Sequence, residues 1–116
     1  MEVILSFNLD WKSVDLSRDH KPSEQDEKDR ILKKNGRIEP FRDENGEFIG
    51  PERVWLLDEE IPGLAMSRSF GDEVAASVGT IAEPEIKEYT YNKNDAFFII
   101  ASDGIWEFIQ SEEVSL

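Results

Sequence analysis

An acidic residue directly follows the most apolar segment of the chain. Residues 97–101 are Phe-Phe-Ile-Ile-Ala, and Ser-Asp-Gly follows at 102–104. A run this rich in β-branched and aromatic residues predicts a strand buried on both faces. A carboxylate at the end of such a strand, here Asp103, is well placed to bind a metal ion or to act in catalysis. Gly104 would let a ligand approach closely. Taken alone, however, the segment fits a simple Asp-Gly turn better than a functional site.

Small residues, one arginine and a Gly-Asp pair lie close together in residues 63–72. Arg68 could bind a buried carboxylate or a phosphate through two parallel hydrogen bonds. Gly71 predicts a tight turn that places Asp72 against backbone amides. A purely structural turn, locked by a pair between Arg68 and Asp72, explains the same residues slightly better.

Two other kinds of metal site are disfavoured. His20 is the only histidine and there is no cysteine, so a zinc site rich in histidine or thiolate cannot form from this chain. Residues 41–52 share some of the spacing of a calcium-binding loop. Phe41, however, occupies the position of the first ligand, and Pro51 would break the helix that leaves such a loop. A hairpin is therefore the better interpretation of these residues.

The composition narrows the class of partner. The 116 residues carry 26 acids and 13 bases, a net charge of -13, which argues against binding to nucleic acid or to an anionic membrane surface. An acidic surface is compatible with divalent cations, although a solvated acidic face explains it equally well. The absence of cysteine favours a reducing compartment. No apolar stretch approaches the length of a transmembrane helix. We expect a cytoplasmic or nuclear protein.

The first third of the chain predicts two strands and a helix. The strands are expected at Val3–Phe7 and Trp11–Leu16, with a turn at residues 8–10 between them. Ser23 is a favourable N-cap for a helix that reaches about Lys34, and acids follow it in the first turn. Gly36 suits the left-handed position after the helix.

The remaining elements are short. Asn45-Gly46, between two phenylalanines, is a strong hairpin signal, and residues 64–70 are expected to be a short helix or irregular. A loop is expected from there to Pro84. Further predictions are strands at Arg53–Leu57 and Glu85–Tyr91, a short helix at Ile105–Ile109 and another that starts at Ser111.

Several segments together resemble one enzyme family. Asp-His-Lys-Pro at 19–22, Gly-Arg-Ile at 36–38, Leu64–Asp72 and Ala101–Trp106 occur in the order and spacing of the metal-dependent, type 2C serine/threonine protein phosphatases. The resemblance extends from about Trp11 to the last residue. It implies an α+β fold, namely part of a four-layer α-β-β-α sandwich with mostly antiparallel sheets.

The resemblance also implies a chemistry. Two Mg²⁺ or Mn²⁺ ions would activate a water molecule that attacks the phosphorus of phosphoserine or phosphothreonine in a phosphoprotein substrate. Asp103 matches a metal-ligating aspartate of the family. Residues 37–66 match its flap, where Arg53 and Trp55 could contact substrate or a regulatory protein, although Trp55 could equally fill a cavity. Arg68, Asp72 and Gly104 belong to the matching motifs as structural residues.

Other family motifs are missing from this sequence. It lacks the Asp-Gly-His-Gly segment, the Gly-Asp-Ser-Arg strand, the phosphate-binding arginine and the late Asp-Asn segment. One aspartate cannot hold two hard cations, so no catalytic residue is expected beyond the metal ligand. Residues 1–116 are therefore interpreted as a partial catalytic domain, its C-terminal half, inactive alone. The alternative is a non-catalytic interaction module derived from a split or degenerate phosphatase domain.

Overall fold

The computed structural model describes residues 2–7, 12–91 and 93–114. These residues form two compact units, one made of the chain up to Asp19 together with the chain from Glu85 onwards, the other of His20–Pro84. The predicted turn at residues 8–10 and Trp11 lie outside the described residues. The elements are β1 Glu2–Phe7, β2 Lys12–Asp15, α1 Gln25–Lys33, β3 Arg37–Arg42, β4 Phe48–Trp55, β5 Pro62–Leu64, α2 Glu73–Ser77, β6 Asp95–Ala101, α3 Asp103–Trp106 and α4 Ser111–Val114.

The first unit is built on an antiparallel sheet with strand order β2-β1-β6. The central strand β1 pairs with both neighbours: Ile4 lies opposite Asp15 of β2 and opposite Ile99 of β6. The apolar strand is present as predicted, but its burial on both faces is not, because Phe98 and Ile100 are 45% and 65% exposed. Among the described residues β6 pairs with β1 alone and lies at the sheet edge.

The segment before β6 is not a strand, contrary to the prediction for Glu85–Tyr91. It is attached through side chains instead of a backbone ladder. The Tyr89 hydroxyl donates to the Asp95 carboxylate at 3.2 Å, and the Tyr91 hydroxyl donates to the Asp95 carbonyl oxygen at 3.1 Å. Both rings lie next to the Phe98 ring, with centroid distances of 6.3 Å for Tyr89 and 6.0 Å for Tyr91. The two tyrosines of this segment therefore attach it to β6 without strand pairing.

The second unit combines an antiparallel sheet, with order β3-β4-β5, and two helices. The predicted hairpin at Asn45-Gly46 is confirmed, and Gly46 has a φ of 81°, which an L-residue rarely adopts. The buried core residues come from α1, β4 and the end of α2, and the surrounding side chains come from the sheet and the chain around it. They are Ile31, Val54 and Val78, packed against Ile38, Leu56 and Leu64.

Helix α1 differs from its prediction at both ends. Its N-cap is Glu24, not Ser23, because the Glu24 amide donates to Lys21 in a turn that delays the helix by one residue. At the other end Asn35, with a φ of 61°, adopts the left-handed conformation that was expected of Gly36. Gly36 is required for a different reason, because a Cβ at this position would clash with the side chain of Ile31.

Helix α2 was missed by the sequence analysis, which predicted a loop as far as Pro84. The helix has only five residues and too few apolar positions to show a helical period. Residues 65–70 before it are irregular, one of the two predicted alternatives. Helix α3 starts at Asp103, two residues earlier than expected, whereas α4 starts at Ser111 as predicted. The α+β class is confirmed; the four-layer sandwich stays a prediction.

Candidate functional site

Asp103 lies where strand β6 turns into helix α3. The preceding Ser102 carbonyl oxygen accepts hydrogen bonds from the amides of Ile105 at 3.0 Å and Trp106 at 3.3 Å, which forms the first turn of the helix. The Trp106 indole N–H donates to the Ala101 carbonyl oxygen at 2.9 Å and fixes the corner from the other side. Asp103 itself is exposed. Its carboxylate has no hydrogen bond or ion pair within the described residues, so it is available to a ligand.

Gly104 is not required by any close contact in the described part of the chain. A Cβ built on it would lie 3.6 Å from the Ser102 Oγ, an ordinary van der Waals distance. The proposal that this glycine makes room for a ligand therefore stays a prediction.

The residues present do not by themselves form a two-metal site. Residues 2–7, 12–91 and 93–114 contain no group of three or more His, Asp or Glu side chains placed to hold a metal ion. Hard cations such as Mg²⁺ need several oxygen ligands around them. Asp103 can supply one ligand, and no mechanistic step can be derived through metals held by this chain alone.

Arg68 binds a buried carboxylate, and the partner is Glu27 of α1. Arg68 Nη2 and Arg30 Nη2 lie 2.5 and 2.7 Å from the Glu27 carboxylate oxygens, and the Ser67 hydroxyl also donates to it. The Glu27 side chain is completely buried. The predicted pair between Arg68 and Asp72 is therefore wrong: Glu27, 41 residues away in sequence, takes the place of Asp72.

The same arginines bind backbone carbonyl groups. Arg30 donates to Gly79 at 2.8 Å and to Ser67 at 2.9 Å, and Arg68 donates to Glu83 at 2.9 Å. We call Glu27, Arg30, Ser67 and Arg68 the buried ion network. It joins three segments of the second unit that are distant in sequence.

Two opposing effects act on the Glu27 carboxyl group. Burial alone would raise the pKa of Glu27, but the hydrogen bonds from Arg30, Arg68 and Ser67 more than offset it and hold the pKa well below its usual value. The group is therefore ionised in the folded protein. Removing one partner of such a buried pair strongly destabilises a protein, because it leaves an uncompensated buried charge. This holds even where the intact pair contributes little net stability.

Glu27 was not predicted as a functional residue, although the sequence carries a signal for it. Glu27 and Ile31 are four residues apart in α1, so both lie on the face that packs into the core. An acid on the apolar face of a helix requires a buried cation. Arg30, three residues after Glu27, was the nearest candidate.

Asp72 has a local role. Its carboxylate accepts a hydrogen bond from the Ala75 amide at 2.9 Å and caps the N-terminus of α2. This confirms the prediction that Asp72 lies against backbone amides.

The flap candidates Arg53 and Trp55 are both engaged inside the second unit. Trp55 is only 5% exposed, and its indole N–H donates to the Glu39 carbonyl oxygen at 2.9 Å. Arg37 lies over the Trp55 ring, with Cζ 5.6 Å from the centroid. Arg53 Nη1 donates to the Gly63 carbonyl oxygen at 2.8 Å. These contacts favour the interior role for Trp55; contact of either residue with substrate stays a prediction.

No helix within the described residues is both long enough and apolar enough to cross a membrane.

Comparison with known proteins identifies the family. The family model described as "Protein phosphatase 2C" matches residues 2–115. "Probable protein phosphatase 2C 61" of Arabidopsis thaliana is 42% identical over 104 residues, which are 90% of this chain and 31% of that protein. "Probable protein phosphatase 2C 48" of Oryza sativa subsp. japonica is 42% identical over 101 residues, 87% of this chain and 28% of that protein. The chain thus spans less than a third of either relative.

Solved structures show the same fold. The crystal structure of serine-threonine phosphatase 2C from Toxoplasma gondii superimposes with a TM-score of 0.79 at 21% identity, over 97% of this chain and 37% of that one. A sex determining protein of C. elegans gives a TM-score of 0.69 at 21% identity, over 97% and 24% of the two chains. The match over residues 2–115, together with these folds, shows that the chain belongs to the protein phosphatase 2C family.

Proposed function

We propose that this chain is part of a metal-dependent phosphatase that hydrolyses phosphoserine and phosphothreonine in phosphoproteins. In the complete catalytic domain, two Mg²⁺ or Mn²⁺ ions would activate the attacking water. The observation that carries the proposal is the family match over almost the whole chain. The exposed carboxylate of Asp103, at a corner fixed by Trp106, supports its assignment as one ligand of that site.

The 116 residues alone are expected to be inactive, because they supply a single carboxylate ligand. The purified chain, assayed on a phosphoserine peptide with and without Mn²⁺, should release no phosphate above the rate without protein. Metal-dependent turnover by this chain would contradict the interpretation as a partial domain.

Asp103 is tested in a complete phosphatase that contains this sequence. Asp103→Asn is expected to lower kcat by orders of magnitude and to weaken metal binding, which titration calorimetry measures separately. Its effect on Tm without metal should be small, because the acids of an empty metal site repel one another. Glu107→Gln is the matched control, since Glu107 is also exposed and lies one turn further along. Near-normal turnover of Asp103→Asn would end the assignment.

A second candidate is a non-catalytic interaction module derived from a phosphatase domain. The observation behind it is that the described residues contain no group of three or more His, Asp or Glu side chains placed to hold a metal ion. Sequencing the complete reading frame separates the two: Asp-Gly-His-Gly before this segment and Asp-Asn after it indicate an enzyme, and their absence indicates a binding module. In either case a regulatory protein could bind at the flap, residues 37–66, and we propose a cytoplasmic or nuclear location.

A further inference from the structure

The hairpin formed by β3 and β4 has an inner part in the core and an outer part beyond it. Val54 of β4 is completely buried, whereas Phe41, Phe48 and Ile49 are 52–54% exposed. None of the three belongs to the core cluster described for this unit. Large apolar side chains that stay exposed next to one another are typical of interaction sites.

Strand register divides these side chains between the two faces of the hairpin. Phe41 lies opposite Ile49, and Arg42 lies opposite Phe48. Directly paired residues share a face, and neighbouring residues along a strand point to opposite faces. Arg42 partly covers Phe48, with Cζ 4.4 Å from the ring centroid. Phe41 and Ile49 therefore form a half-exposed apolar pair on the other face.

The turn beside this pair carries acids that nothing in the described chain neutralises. Asp43 is used by the turn, because its carboxylate accepts hydrogen bonds from the amides of Asn45 at 2.9 Å and Glu47 at 2.8 Å. Glu44 and Glu47 are exposed, and their carboxylates form no ion pair within the described residues. The one cation of the outer hairpin, Arg42, is already shared between Glu39 and Phe48.

We propose that the hairpin tip, defined as Phe41, Glu44, Glu47 and Ile49, binds a segment of a partner protein in which Lys or Arg residues alternate with large apolar ones. The apolar side chains of the partner would cover Phe41 and Ile49, and its cations would pair with the two glutamates. The same charges disfavour nucleic acid and anionic lipid as occupants. The inference concerns binding alone, so it does not depend on phosphatase activity.

The test uses a fluorescently labelled peptide of alternating lysine and phenylalanine, titrated with the full chain and followed by anisotropy. The double variant Phe41→Ser/Ile49→Ser is expected to raise Kd about tenfold, as for truncation of a small apolar hot spot. Glu44→Gln/Glu47→Gln should weaken binding at low ionic strength and reduce its salt dependence. A peptide with serine in place of phenylalanine should bind as weakly as the serine variant does.

Matched controls distinguish binding at the hairpin tip from non-specific binding to any exposed apolar side chain or any exposed acid. Phe70→Ser removes an apolar side chain that lies elsewhere and is more exposed to solvent than Phe41 and Ile49, and Glu88→Gln/Glu107→Gln removes the same charge from exposed positions. Both controls should bind like the original chain. Equal loss in the controls and the tip variants, or no loss in the tip variants, would overturn the proposal. Circular dichroism establishes that each variant is folded, as expected for exposed positions.

Discussion

Replacement of Glu27 by glutamine tests whether the buried ion network stabilises the second unit. Glutamine has almost the same shape, so the change removes the charge and leaves two arginines opposite an amide. The side chains of Arg30 and Arg68 are 24% and 13% exposed, while that of Glu27 is completely buried. Breaking a buried pair lowers the free energy of unfolding by about 3–5 kcal/mol. Because both arginines are partly exposed, we expect a loss at the low end, about 3 kcal/mol.

The pH dependence gives an independent signature of the same charge. The pKa of Glu27 is held far below its usual value of 4.5, so the unfolded chain takes up the proton first as the pH falls. The stabilisation is therefore complete above pH 4.5 and is lost progressively below it. Glu27→Gln lacks this contribution, so the difference in the free energy of unfolding between the two proteins should narrow below pH 4.5.

Urea unfolding followed by tryptophan fluorescence measures the loss in the free energy of unfolding and its dependence on pH. Hydrogen exchange of the α1 amides shows whether this loss occurs in the second unit. Glu85→Gln is the control, because its ion pair with Arg18 is more than one-third exposed on both sides. Exposed pairs are worth roughly 0–1 kcal/mol. A loss below about 1 kcal/mol for Glu27→Gln, or a difference that does not change with pH, would refute the argument.

Two further substitutions test local features. Gly36→Ala would place a Cβ 2.5 Å from Ile31 Cγ2 in the core, and should lower the free energy of unfolding by about 1–3 kcal/mol. Gly50→Ala is its control: that glycine has a positive φ but an open surrounding, so only backbone strain of about 1–2 kcal/mol is expected. Asp72→Ala removes the cap to Ala75 and should cost about 1 kcal/mol in urea titrations, with Asp72→Asn largely restoring it.

Local signals in the sequence predicted the local structure well. The hairpin at Asn45-Gly46, helix α1 and strand β6 follow from turn chemistry, capping and apolar runs that act over a few residues. The strand predicted at Glu85–Tyr91 is absent, because the composition of a segment does not reveal whether a neighbouring strand is available to pair with it. The prediction that β6 is buried on both faces was wrong for a related reason. Burial depends on what packs against a strand, and the residues of the strand alone do not show this.

In the candidate site too, residues flanked by local sequence signals could be predicted, whereas partners distant in sequence could not. Asp103 could be found because a strand and a turn flank it in sequence. The partner of Arg68 could not be identified from sequence, because Glu27 lies 41 residues away and Asp72 was the nearer acid. The role of Trp55 stayed open until its ring was located in the interior.

The buried ion network has a consequence for how the flap can vary. Glu27 and Arg30 precede residues 37–66, the proposed flap, while Ser67 and Arg68 directly follow them, so the network joins the two ends of this segment. The entropy of closing a loop grows slowly, by about 0.6 kcal/mol for each doubling of its length. The outer hairpin adds nothing to the core cluster. Its tip can therefore change length and sequence while the network and the core keep the unit folded.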